Sequence, residues 1–347
     1  MSGRIVFLLF ACCVQATSFA APGLLPGSQQ LIRERQQQLL EQQNQRLEEL
    51  QNLPAAPVAP QPAPAPDDLR CFTVERIQLH GVTLLSAAQQ SALLEPFRGQ
   101  CLGVEQLNSL LKTITDAYLA RGYVTTRAYL PQQDLADGVL EIRVVEGRLE
   151  SLEGDEIATP RELGMGFPGA TGEVLNLRDL EQLVDQLNRL PSLQAELQVL
   201  PGEVLGASRV QLAGQREKPW RLNANRNNDG LPSTGEQQWG LGFDWDSPLG
   251  LADQLVLRGS GDTLSDSQRQ SDSQSLIYSL PYGWWTVSYS YNQNSYRSQT
   301  EAAGFDFKQH GDSQTQQLRA ERVLQRDEVS KTAASISAGQ LRTRNYL

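Results

Sequence analysis

From Lys218 onward no stretch of this chain repeats at the helical period; apolar and polar residues alternate instead. In "QQWGLGFDWD" Trp239, Leu241, Phe243 and Trp245 are interleaved with Gln238, Gly240, Gly242 and Asp244. In "WTVSYSYN" Trp285, Val287, Tyr289 and Tyr291 are interleaved with Thr286, Ser288, Ser290 and Asn292, and "TAASISAGQ" sets Ala334, Ile336 and Ala338 against serines and glycine. A period of two sends the two sets to opposite faces of a strand. Such strands have two solutions. In a soluble sandwich the apolar row turns inward; in a transmembrane barrel it meets lipid while the small polar row lines a wet lumen.

Two details favour lipid. Aromatics are only 7% of the 347 residues, yet they crowd the last third. Trp239, Phe243, Trp245, Tyr282, Trp284, Trp285, Tyr289 and Tyr291 sit at expected strand ends and around the turn "LPYGWW", as membrane-interface aromatics would. Short turns such as "DSPLGLAD" alternate with polar loops such as "NDGLPSTGE" and "GDTLSDSQRQSDSQ", and the expected strands are about ten residues long. Residues 218–347 therefore read as part of an antiparallel transmembrane β-barrel, with the soluble sandwich as the alternative.

The other end of the chain reads as an export signal. "MSGRIVFLLFACCVQATSFA" has one early basic residue, Arg4, then an apolar run from Ile5 to Val14, and Ser18 and Ala20 precede a cut before Ala21. The run falls short of the roughly 20 residues that span a bilayer. Cleavage of residues 1–20 removes Cys12 and Cys13 and leaves Cys71 and Cys101. An even number in an exported chain suggests a disulfide, with two reduced buried thiols as the alternative. Closing a loop of about 30 residues would stabilise the fold by roughly 3–4 kcal/mol on the chain-entropy model. Residues 21–52 are dense in Gln, Glu, Arg and Leu and read as a helix polar enough for a wet lumen, with Leu31 to Leu50 near heptad spacing. Residues 53–69, "LPAAPVAPQPAPAPDDL", form a semi-rigid Pro/Ala linker.

Between linker and tail the order strand, helix, helix, strand, strand occurs twice, in residues 70–147 and 148–217. In the first unit "CFTVERIQLHG" is a strand, and "SAAQQSALLEPF" is a helix capped by Ser86. "GVEQLNSLLKTITDAYLARG" places Leu107, Leu110, Leu111, Ile114, Tyr118 and Leu119 on one face and stops at Gly122. The strands "YVTTRAYL" and "GVLEIRVVEG" follow, with Leu140, Ile142 and Val144 on one face and Glu146-Gly147 as a hinge. A Cys71–Cys101 bridge would pin the helical layer to the sheet edge. The second unit has weaker signals apart from the amphipathic "NLRDLEQLVDQLNRLP". Each unit is a two-layer α+β domain, small enough to need a staple.

"CFTVERIQLHG", "RGYVTTRAYLPQQDLADGVLEIRVVEGRLE" and "GLGFDWDSPLGLADQLVL" resemble the outer-membrane transporters of two-partner secretion, the haemolysin secretion/activation family of ShlB, FhaC and HecB type. The resemblance implies an order of signal, plug-like helix, linker, tandem POTRA domains (the βααββ units) and barrel. It implies Gram-negative outer-membrane localisation with periplasmic POTRA domains, and barrel residues in contact with outer-membrane lipid. It implies passage of a large exoprotein without nucleotide hydrolysis, its N-terminal secretion domain recognised by the POTRA pair. A sheet edge that adds a client strand would serve this, and the candidate edge is Tyr123, Val124, Thr125, Thr126, Arg127, Ala128 and Tyr129. The family's Val-Arg-Gly motif occurs nowhere here, and residues 218–347 hold about seven expected crossings against about sixteen implied by the resemblance. The resemblance thus implies a fragment or a truncated form, and an unclosed sheet that would not form the pore by itself.

Other function classes fit less well. The formal charge of -10, from 30 Lys+Arg and 40 Asp+Glu, would repel nucleic acid. His80 and His310 are the only histidines, so neither a metal cluster nor catalytic machinery is expected, and no cofactor. Asp244 and Asp246 share a strand face and suit a hydrophilic lumen; Arg127 and Arg143 suit a solvated sheet. An outer-membrane protein assembly factor and a periplasmic adaptor with a soluble β tail are the alternative functions.

Overall fold

The computed structural model describes residues 71–347 except 136, 229, 231–233, 235, 263–268, 303–304 and 347, with backbone alone at 300–302 and 305–307. The expected signal, helix and linker lie outside the described residues.

The first unit contains β1 (Phe72–Val74), β2 (Arg76–His80), α1 (Ala87–Leu94), a 3-10 turn (Glu95–Phe97), β3 (Gln100–Leu102), α2 (Val104–Leu119), β4 (Arg127–Tyr129) and β5 (Val139–Val145). Its sheet runs β2-β5-β4, with β2 parallel and β4 antiparallel to β5. The helices cover the face carrying Ile77, Leu140, Ile142 and Val144, and Leu110, Ile114 and Tyr118 of α2 meet them at the i, i+4, i+8 spacing of one helical stripe. Leu119, expected on that stripe, stays 37% exposed because it lies about 100° round the helix from Tyr118.

Three local expectations are corrected. "CFTVERIQLHG" is two strands: the amides of Glu75 and Arg76 both donate to the carbonyl of Gly138, at 2.8 and 3.1 Å, which breaks the ladder between β1 and β2. β1 pairs instead with β3, an additional strand between the helices. Cys71 and Cys101 are bridged, with Cα atoms 5.3 Å apart, but the bridge staples this β1–β3 ladder rather than the helical layer to the three-stranded sheet. "YVTTRAYL" is a strand only at its last part, Arg127–Tyr129. Its first half turns instead: Tyr123 donates its amide to Tyr118 and Thr126 to Tyr123, which closes the end of α2.

The second unit repeats the connectivity with β6 (Arg148–Glu153), α3 (Pro160–Gly166), α4 (Leu177–Asn188), β7 (Leu193–Pro201) and β8 (Ala207–Arg216), in the order β6-β8-β7. β6 is parallel and β7 antiparallel to β8, as β2 and β4 are to β5. Leu163, Leu183, Leu187, Leu190 and Leu212 form its core.

The tail is one antiparallel sheet of seven strands in sequence order: β9 (Trp220–Asn227), β10 (Gln238–Asp246), β11 (Gln254–Asp262), β12 (Gln270–Tyr282), β13 (Trp285–Ala302), β14 (Phe305–Arg326) and β15 (Lys331–Tyr346). The last four are longer than the expected ten or so residues, reaching 22 in β14, and "QSDSQ" belongs to β12 rather than to a loop. Alternation only reports where one face is apolar. The polar ends of these strands continue the same backbone ladder, as in Gln274↔Gln293↔Gln314, with no apolar side chain to signal it.

Candidate functional site

Register turns the alternation into two surfaces. Trp220, Trp245, Leu255, Tyr278, Tyr289, Leu318 and Ala338 are successive cross-strand partners, so they form one apolar row across all seven strands. One residue along, Asp246, Gln254, Ser279, Ser288, Arg319 and Ser337 form a polar row on the opposite face. Trp285, Val287 and Tyr289 of the apolar face are exposed, where a soluble sandwich would bury them. On the polar face Arg319 and Ser337 are exposed, and Asp246 is buried where it meets the second unit. On the polar face the side chains of Asn225 and Asn223 lie where Cβ atoms of Gly240 and Gly242 would be, so glycine there makes room for an amide-lined wall. Asp244 pairs with Arg258 at 2.7 Å on the same wall.

Of the expected interface aromatics, Trp239, Trp245, Tyr282, Trp285 and Tyr289 are exposed, while Phe243, Trp284 and Tyr291 are half-buried. Phe243 stacks edge-on against Trp245.

Three turns of this sheet meet helices α3 and α4 of the second unit. At the β10–β11 turn, Ser247 donates its hydroxyl to Glu162, which is fully buried and also accepts from Arg216 at 2.8 and 2.9 Å. Glu162 occupies the third position of α3, where Thr159 caps the helix and donates its own amide to the carboxylate at 2.8 Å. Burial pushes this carboxyl up, but the hydrogen bonds from Arg216, Ser247 and Thr159 outweigh it and bring it down to about 2. Beside it Asp246 accepts from the amide of Ser192 and from both terminal nitrogens of Arg221. Arg189 donates to the carbonyl of Ala252 and the hydroxyl of Ser279.

At the β12–β13 turn Gln182 and Gln186 of α4 both donate to the carbonyl of Gly283, at 3.2 and 3.1 Å. Gly283 has φ +54° and returns its amide to Met165 at 2.8 Å, with Pro168 closing over it. At the β14–β15 turn Arg326 pairs with Glu181 and Asp185, and Lys331 with Asp185. Sequence periodicity missed this floor. Gln182 and Gln186 lie one turn apart and are buried, but each stands about 100° round α4 from the core leucines Leu183 and Leu187, so spacing alone did not mark them as core.

The expected client edge divides in two. Thr126 is fully buried, Val124 packs with Leu149, Leu175 and Leu180 of the second unit, and Tyr123 packs into the first unit's core. Thr125 stands against Gly147, where an added Cβ would come within 2.6 Å of the threonine Cβ and 2.9 Å of its carbonyl oxygen. Leu177 donates its amide to Gly122, and Leu175 to Gly147, both at 2.8 Å. Tyr123 to Thr126 therefore weld the two units together. Arg127, Ala128 and Tyr129 alone lie on the free edge of the β2-β5-β4 sheet. Glu146, beside the hinge glycine, accepts from Tyr118 at 2.8 Å and from Thr83 and Leu84. Burial pushes its carboxyl up, and those hydrogen bonds outweigh it, so it titrates below the ordinary 4.5. Among the described residues no group of His, Cys, Asp and Glu could hold a metal ion. No described helix is long and apolar enough to cross a membrane, which says nothing of strands.

Comparison with known proteins names these parts. Residues 206–347 match the family described as haemolysin secretion/activation protein ShlB/FhaC/HecB, residues 72–147 the ShlB-type POTRA domain, and residues 148–201 a further POTRA domain. The chain belongs to the ShlB/FhaC/HecB family of two-partner secretion transporters. Among its relatives, the outer membrane transporter CdiB of Dickeya dadantii is 36% identical over 96% of this chain and 59% of its own length. The hemolysin transporter protein ShlB of Serratia marcescens is 35% identical over 84% of this chain and 51% of its own length. The solved structure of CdiB from Escherichia coli superposes with a TM-score of 0.77 at 35% identity, covering 94% of this chain and 61% of that one. The chain thus spans about six-tenths of the CdiB relatives. Like its family, this ShlB-type chain is an outer-membrane protein with its POTRA modules in the periplasm, so the docked turns of the sheet are the periplasmic ones.

Proposed function

We propose that this chain serves two-partner secretion. Its POTRA pair receives the unfolded N-terminal secretion domain of a large exoprotein, and its sheet forms part of the wall along which that exoprotein crosses the outer membrane. The observation that carries this is the outward apolar row and inward polar row on one sheet, held by its periplasmic turns to the second POTRA module. A soluble adaptor would leave that apolar row facing water, at a cost that rises with every exposed Trp, Tyr and Leu.

The client contact we assign to the free edge of β4. Arg127 to Tyr129 present backbone groups that no described strand pairs on their outer side, and Tyr129 and Leu130 beside them are 45% and 40% exposed. An extended client adding there would gain backbone hydrogen bonds along the edge and a tyrosine contact. The experiment is titration of the full chain, in detergent micelles, with a labelled N-terminal secretion segment of a large two-partner exoprotein from the same genome. Tyr129→Asp should weaken binding about tenfold, the loss of one buried aromatic contact of about 1.4 kcal/mol. Unchanged affinity would move the contact to another surface, and no binding by the unaltered chain would sink the secretion reading.

A further inference from the structure

A cavity of about 330 Å³ opens where the two POTRA modules meet the periplasmic end of β13 and β14. Four guanidinium groups line it: Arg121 and Arg178 from the module side, Arg322 and Arg326 from the sheet. Two of them are committed elsewhere. Arg178 pairs with Glu181 at 2.6 Å, and Arg326 with Glu181 and Asp185. Arg121 and Arg322 are exposed and pair with no carboxylate among the described residues. One carboxylate, Asp179, shares the lining; burial and the neighbouring Glu173 push it up to about 6. Even with Asp179 ionised the cavity keeps a cationic excess. A chain of net charge -10 that gathers arginines in one cavity has made a local exception.

The place of the cavity matters as much as its charge. Arg322 is the cross-strand partner of Trp285, its guanidinium 5.3 Å above the indole, so it stands on the face of the apolar row and at that row's periplasmic end. Trp284 and Leu324, the latter 61% exposed, line it on the sheet side beside Val323 and Gln325. Aromatic rings and arginines at the end of a lipid-facing row sit at headgroup depth. The α4 N-terminus, with Asn176 as cap, opens on the same cavity and adds its partial positive charge.

We propose that this cavity binds the phosphodiester headgroup of an anionic phospholipid of the periplasmic leaflet, with Arg121 and Arg322 as its ligands, the acyl chains lying along Leu324 and the apolar face. The proposal rests on the membrane reading of the sheet. It gives the bilayer a direct hold on the weld between the POTRA modules, because the carbonyl of Arg121 accepts from Asn176 across that weld.

The test is native mass spectrometry of the full chain in zwitterionic detergent micelles, supplied with phosphatidylglycerol, phosphatidylcholine or inorganic phosphate. Phosphatidylglycerol should be retained at least fivefold more than phosphatidylcholine. Arg121→Gln and Arg322→Gln should each cut that retention at least fivefold, while Arg98→Gln, on an exposed turn of the first module, should not. Arg322→Gln also removes a contact with Trp285, so Arg121→Gln decides the matter if the former disturbs the sheet. Equal retention of the two lipids, or of phosphatidylglycerol by both variants, overturns the proposal. Binding of inorganic phosphate without lipid retention overturns it in favour of a soluble anion. A chain that stays in water without detergent fails the membrane reading itself, which is a different result from insertion without lipid preference.

Discussion

Replacing Glu162 by Gln should loosen the floor that joins the second POTRA module to the sheet, and the size of the effect follows from its titration. The carboxyl sits at about 2 in the folded chain against an ordinary 4.5. That difference corresponds to about 3 kcal/mol of stability at neutral pH. Glu162 is fully buried, so solvent does not screen the interaction away. Because the folded value is depressed, the contribution is fully present above 4.5 and is lost as the pH falls through 2. Glutamine keeps the shape but leaves Arg216 facing a neutral group, for which a loss of about 3–5 kcal/mol is expected when one partner of a buried pair is removed. The assay is urea denaturation of the micelle-bound chain, read by pulse proteolysis of the POTRA region. With a slope of about 1–3 kcal/mol per molar urea, the midpoint at pH 7 should fall by at least about 1 M. As the pH is lowered from 4.5 toward 2, the unaltered chain should lose its advantage and the two midpoints converge. Equal midpoints at pH 7, or a gap that persists undiminished in acid, would refute the assignment of stability to this carboxylate.

Gly147→Ala should force the Thr125 backbone away from the weld and cost about 1–3 kcal/mol, seen as faster protease cleavage between the two modules with each module's core still protected. Replacing Cys71 and Cys101 with serine should lower the first module's stability by about 3–4 kcal/mol; the same loss should appear when the unaltered chain is titrated with urea under reducing conditions.

Much of the architecture was legible in the residues because it rests on local periods. Leu110, Ile114 and Tyr118 repeat at helical spacing, Leu140, Ile142 and Val144 at strand spacing, and the same order recurs through β6 to β8. The period-two pattern of Trp239 to Trp245 and Trp285 to Tyr291 announced a two-faced sheet. What period cannot report is a partner. "YVTTRAYL" has strand composition throughout, yet its first half is taken by the neighbouring module, since Gly147 and Gly122 leave room for it to be approached there. The free edge therefore shrinks to Arg127–Tyr129. Gln182 and Gln186 looked like surface amides until the Gly283 turn came to meet them.

The sequence by itself determined the order of the main helices and strands, that two small modules precede a long sheet, and that one row of that sheet is apolar. These depend on side-chain chemistry at fixed spacing along one strand or helix. Only the tertiary structure decided which face of the sheet is left uncovered, which turns dock on α3 and α4, and where Arg121 meets Arg322 from 201 positions away. Those outcomes depend on hydrogen bonds and charges brought together from distant segments, and a carboxylate such as Glu162 carries no mark in the sequence of the arginine and serine that will close around it.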